Sequence, residues 1–292
     1  MKLATTTEDF ALYTDSQIKS LEYIAMSGFK YADYSFCIDG KKRDGVFADN
    51  WREYIEKLKE KCMKLNVEFV QAHAPMGEPL AENNSQFIAD NARCIEVCSM
   101  LGIKNLVVHS GYIGGLSKKE TLLKNKEFYN KLLVTAEKYN VNVLTENFNK
   151  MFIDDLYWID NANDLLELIE LVGHPLFHAV WDTGHANMQD MTQKDALKLL
   201  GKHVKALHVQ DNNGFVDSHM CPLFGTLDVD SLMQGLLAIG YDGCFTFEAG
   251  NLFNQYNGRE TVFEPSLETK LVAERLLFGI GTDILEKYKT GE

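Results

Sequence analysis

Apolar positions along the chain fall into two alternating rhythms. Short runs of β-branched and aromatic residues predict strands at Lys2–Thr6, Tyr31–Phe36, Val67–Ala72, Asn105–His109, Val141–Glu146, His178–Asp182, Val204–His208 and Cys244–Glu248. Between them, apolar residues spaced three and four apart predict helices near residues 16–27, 49–65, 83–101, 118–139, 163–172, 192–201, 228–239 and 265–287. Strand followed by helix, eight times over, predicts a parallel sheet with helices outside. Eight such units close into a TIM (β/α)8 barrel, which leaves no sheet edge exposed. An open doubly wound sheet is the alternative, but no Gly-rich turn follows the first strand, where a dinucleotide-binding sheet carries it.

The length of 292 residues fits one barrel, and no low-complexity linker or shift of composition divides it, so residues 1–292 are expected to form one domain. The long connection Asn147–Asn161, with Phe148, Phe152, Tyr157 and Trp158, is a candidate wall or lid. A formal charge of −13 disfavours non-specific binding to nucleic acid or membrane surfaces. No apolar run is long enough to span a bilayer, and MKLATTTEDF lacks the core of a signal peptide. The six cysteines do not form a disulfide framework, which together with the missing leader points to the cytoplasm.

In such a barrel the chemistry sits at the carboxyl ends of the strands. Read there, the third to eighth strands end in His73, His109, Glu146, Asp182 (with His185 one turn on), His208 and Glu248. The loop after the seventh strand adds Asp217 and His219. Glu146 and Glu248 close otherwise apolar strands, and a buried carboxylate needs a cation or a proton. Carboxylates and imidazoles converging on one rim suit a divalent metal: Mn, Co, Mg, Fe or Zn. His174, His178 and His203 fall at the opposite end. The basic residues Lys41, Lys42 and Arg43, and Lys118 and Lys119, read as solvated charge runs, so free and phosphorylated substrates both stay open.

The series HAP, VVHSG, LTEN, WDTGHAN, LHVQDN with D-x-H-x-x-P, and FTFEA resembles the xylose isomerase-like TIM barrels, a superfamily of sugar isomerases, epimerases, inosose dehydratases and endonuclease IV-type enzymes. The resemblance to the sugar epimerases implies one divalent metal on Glu146, Asp182, His208 and Glu248, the two glutamates as the proton-transfer pair, and His185 on the substrate. Ketose 3-epimerases often carry an Arg shortly after the strand-seven His; here that stretch is QDNNGF. The endonuclease branch implies up to three zinc ions, with His73, His109, His185, Asp217 and His219 as additional ligands; all nine positions are filled. The segment APMGEPL lacks that branch's bulky wedge, and the acidic charge also argues against DNA.

The expectation is therefore a metal-dependent isomerase or epimerase acting on a sugar, sugar phosphate or cyclitol through an enediolate. A multi-zinc phosphodiesterase on abasic DNA and a cyclitol dehydratase are the alternatives. Trp158 and Trp181 are candidate packing surfaces for a sugar, although Trp181, beside a ligand strand, reads rather as core. The long last helix either closes the barrel or pairs with a second copy in a homo-oligomer.

Overall fold

The computed structural model describes residues 1–148, 159, 161–251 and 265–289. Eight strands, β1 (Lys2–Thr6), β2 (Tyr31–Ser35), β3 (Glu68–His73), β4 (Asn105–Val107), β5 (Asn142–Glu146), β6 (Phe177–Asp182), β7 (Val204–His208) and β8 (Cys244–Phe247), pair in parallel in the order β8-β1-β2-β3-β4-β5-β6-β7. The ring closes past the ends of β7 and β8, where Val209 bridges Phe247: its N–H donates to Thr246 O (2.7 Å) and its carbonyl accepts from Glu248 N (3.0 Å). The result is a nearly closed TIM barrel, as the eightfold alternation predicts.

The helices are α1 (Gln17–Met26), α2 (Phe36–Lys42), α3 (Trp51–Leu65), α4 (Ser85–Leu101), α5 (Lys118–Tyr139), α6 (Ala162–Val172), α7 (Thr183–Asn187), α8 (Gln193–Leu200), α9 (Val229–Ala238) and α10 (Leu267–Lys287). Their ends follow local chemistry. Ser117 and Glu120 form a reciprocal capping box on α5. Asn66, Asn140, Gly102 and Gly173 end α3, α5, α4 and α6 in the left-handed conformation. The apolar helix faces and the strands' outer faces fuse into one core. Helix α10 lies against α1 and β1, burying Leu271, Ala273, Leu277 and Ile284, so it covers the barrel wall. No helix among the described residues is long and apolar enough to cross a membrane.

Two short helices, α2 and α7, lie where the periodicity predicts only loops. Helix α2 is held by tertiary contacts: its Asp39 accepts from the Tyr34 hydroxyl and from Gln17. It also carries the basic run at its end. Lys41 and Lys42 end α2 and Arg43 caps it. Lys42 pairs with Asp15 and Arg43 with Asp90, so the run is tied down at the surface. Lys118 is likewise engaged, by Asp164 and Glu167.

Candidate metal centre

Residues two apart on a strand share a face. Val107, Leu144, Val180 and Ala206 form a closed apolar cluster, and they stand two residues before His109, Glu146, Asp182 and His208. On this side the site therefore rests on a dry plug. On the other side the barrel interior is polar. Gln71 donates to Asp33 Oδ2 (2.7 Å) and Leu207 O (3.2 Å), and Thr246 donates to Gln71 Oε1 (2.9 Å). Asp33 Oδ2 lies 3.4 Å from His208 Nε2, which turns the opposite ring nitrogen toward the carboxylates.

The nine rim residues sort into three groups whose ligand-type atoms lie within 4.8 Å of one another: Glu146, Asp182, His208 and Glu248; His73, His109 and Glu146; and His185, Asp217 and His219. Glu146 joins the first two. Its Oε1 is 2.8 Å from His208 Nδ1 and its Oε2 is 2.9 Å from His109 Nε2. Glu248 lies 3.5 Å from His208 Nδ1, with 26% of its side chain exposed. His185 donates from Nδ1 to Asn147 O (2.8 Å) and approaches Asp217 with Nε2 (3.2 Å). His219 has φ 47°, a conformation uncommon for a non-glycine residue, and hydrogen-bonds to Glu248 O (2.9 Å).

Local sequence explains the fixing of Asp182. Its Oδ1 caps α7 by accepting from His185 N (2.6 Å), and Asn147 bonds its backbone on both sides (2.9 Å each). Gly184 in WDTGH leaves room for the Gln210 amide, which a Cβ there would displace. Gln210 in turn spans Asp182 Oδ1 (3.3 Å) and Asp217 Oδ1 (2.7 Å).

Electrostatics follow the crowding. Burial and neighbouring carboxylates push Asp182 up to about 7, against the pull of His185. Burial also works to raise Glu146, yet His208, His109 and His73 hold it well below the usual carboxylate range. For His185, burial is outweighed by Asp182, Asp217 and Glu146, which lift it to about 10. His208 and His219 are raised for the same reason. His109 moves the other way: burial takes it down to about 4 despite Glu146, leaving a neutral imidazole.

This donor set fits a divalent cation. Three carboxylates and an imidazole within 4.8 Å cannot all keep their charge unneutralised in a buried place. Asp182 Oδ2 is buried with no hydrogen-bond partner among the described residues, a lone pair open to a cation.

A cavity of about 330 Å³ opens above the groups, lined by His73, His109, Glu146, His185, Asp217, His219 and Glu248. Phe148 forms part of its wall, its ring 5.0 Å from that of His109 and 4.8 Å from that of His185. Phe152, Tyr157 and Trp158 lie outside the described residues. Trp181 is core, as its place beside a ligand strand suggests: it is 2% exposed and donates to Gln193 at the start of α8. Strand-end reading misses Asp33, Gln71, Asn147, Gln210, Glu8 and Asp9. Asp33 and Gln71 carried one signal, polar residues at inward positions of buried strands.

The fold neighbours are barrels of one kind. A D-tagatose 3-epimerase-like protein superposes with TM-score 0.75 at 22% identity, covering 98% of this chain and 99% of its own. A D-psicose 3-epimerase from Clostridium cellulolyticum H10 gives 0.77 at 16%, with the same coverage. An AP endonuclease, family 2, from Brucella melitensis gives 0.69 at 17%, over 86% of this chain and 93% of that one. In sequence, an uncharacterized protein of Methanocaldococcus jannaschii is 27% identical over 225 residues, 73% of each chain. The fructoselysine 3-epimerase of Escherichia coli O157:H7 is 28% identical over 115 residues, so the match spans only 39% of each. Residues 21–268 match the xylose isomerase-like TIM barrel family, and the chain belongs to it.

Proposed function

We propose that the protein is a divalent-metal-dependent sugar isomerase or epimerase, with Glu146, Asp182, His208 and Glu248 as the ligands. The observation that carries this reading is the pair Glu146 and Glu248, brought into one four-residue group and both opening into a cavity of sugar size. The epimerase names among the relatives and fold neighbours support it. A cation such as Mn²⁺, Co²⁺, Mg²⁺ or Zn²⁺ bound there supplies Lewis-acid polarisation of adjacent substrate oxygens and so acidifies the neighbouring carbon.

The protein's own groups do the rest. One glutamate takes the proton from the carbon beside the carbonyl. The other returns a proton from the opposite face, which inverts the carbon, or the first delivers it to the neighbouring carbon, which isomerises the sugar. Glu248 is the more open of the two, whereas Glu146 is engaged on both oxygens. His185, fixed by its bond to Asn147 and with Nε2 beside Asp217, lines the cavity where it holds a substrate hydroxyl. Dehydration of a cyclitol begins with the same proton abstraction.

The test is solvent-deuterium incorporation into a panel of free ketoses and aldoses by protein loaded with each metal, alongside elemental analysis. Exchange at a carbon beside the carbonyl with about one metal per chain is expected. Full metal loading with no exchange on any sugar or cyclitol would overturn the reading. A second reading, a multi-zinc phosphodiesterase, is favoured by the two additional groups built on His73 and His109 and on His185, Asp217 and His219.

A further inference from the structure

We infer that the cavity wall built by the loop after β1 receives a hydrogen-bond-donating end of the substrate, a hydroxyl or an ammonium, and turns away a phosphate or carboxylate at that end. The inference rests on the sugar reading above and narrows its substrate class. Glu8 and Asp9 line the cavity beside Thr6, Leu12, Gly250 and Asn251. Neither carboxylate belongs to the three ligand groups, so neither is taken up by a cation held there.

Each has an oxygen to offer. Glu8 Oε2 accepts from Ser35 (2.6 Å), which leaves Oε1 without a hydrogen-bond partner among the described residues. Asp9 is 9% exposed; Oδ2 accepts from Thr5 (2.5 Å), and Oδ1 has no hydrogen-bond partner among the described residues. Gly250 makes room for that oxygen, because a Cβ at 250 would lie 2.8 Å from it. The nearby cation, Lys270, pairs with Glu274 (2.6 Å) and donates to Gly250 O (3.1 Å), and its charge also acts on Asp9.

A carboxylate such as that of Glu8 at the edge of a low-dielectric cleft binds donors and repels anions. The ionisable side chains that the described residues bring to this cavity are carboxyl groups (Glu8, Asp9, Glu146, Asp217, Glu248) and imidazoles. An anionic substituent at the β1 wall would meet the Glu8 carboxylate beside Asp9, which burial and Glu274 hold toward its neutral form against Lys270, and no guanidinium or ammonium from these lining residues.

The experiment measures kcat/KM for deuterium exchange by the metal-loaded full-length protein on D-fructose, its 1- and 6-phosphates and 1-amino-1-deoxy-D-fructose. Wild type is compared with Glu8→Gln and Glu8→Lys, and only ratios between substrates on one variant are read, so the folded fraction cancels. At least one phosphate is expected to fall 30-fold or more below fructose, and Glu8→Lys to recover that ratio by 10-fold or more. An amino sugar favoured 10-fold, with the preference lost in Glu8→Gln, assigns an ammonium; parity assigns a hydroxyl. Both phosphates within 30-fold of fructose, or a discrimination that survives Glu8→Lys, overturns the inference and leaves the epimerase reading standing. No exchange on these sugars or on the wider panel of ketoses, aldoses and cyclitols removes both.

Discussion

The eight histidines divide between the two ends of the barrel, and, His109 apart, the ends shift them in opposite directions where they shift. At the carboxyl end His73, His109, His185, His208 and His219 are packed among Glu146, Asp182, Asp217 and Glu248. Carboxylates there lift His185, His208 and His219 despite their burial. At the other end burial, reinforced by Lys205 and Lys202, takes His178 down to about 4, and His203 is lowered likewise. His174 meets a single surface carboxylate, Glu137, at 3.1 Å. The residue type is the same, so only its partners distinguish a candidate ligand from a structural histidine.

The contrast breaks most visibly at the glutamates. Glu146→Gln and Glu248→Gln should each lower deuterium exchange about 10²–10⁴-fold, the range for losing a general acid or base, and weaken metal binding. Full activity in both would end the two-glutamate mechanism. Next, His208→Ala should purify without its metal, whereas His203→Ala should keep it; elemental analysis of the pair compares the two ends directly.

A smaller effect separates the two functional readings. Joint replacement of Asp217 and His219 by Ala should leave a one-metal epimerase with its metal, while a multi-zinc hydrolase would lose at least one equivalent. The smallest effect belongs to the far end. His178 has a folded pKa of about 4 against an ordinary 6.5, so the unfolded chain binds the extra proton first. Its contribution to stability is complete above pH 6.5 and is lost as the pH falls toward 4. His178→Gln should therefore lose less stability than wild type between pH 7 and 5, by on the order of 1 kcal/mol after allowance for partial exposure. Urea midpoints at the two pH values measure the difference.

Much of this was legible in the sequence. All eight strands lie within a residue or two of where the alternation places them, because buried parallel strands are continuous apolar runs and their polar ends stand out. For the same reason the nine rim residues could be named, and the structure brings all nine together. What escaped depends on contacts distant along the chain. Helix α7 is one turn capped by Asp182, and α2 needs Gln17 and Tyr34 to hold Asp39. Glu8 and Asp9 follow a strand that ends in Thr6, with no imidazole or carboxylate to mark it. Asp33 looks like a chance polar residue in YADYS until the fold sets it against His208.

The closure of the barrel carries one more consequence. Among the described residues, β7 and β8 meet through two backbone bonds at Val209, and the side chains flanking that seam are His208 and Glu248. On the proposed reading, a cation shared by these two is also a suture across the weakest-laced joint of the cylinder. Occupancy and breathing are then one equilibrium: filling the centre should slow amide exchange at Val209 and Glu248, and whatever pries the seam apart should loosen the ion.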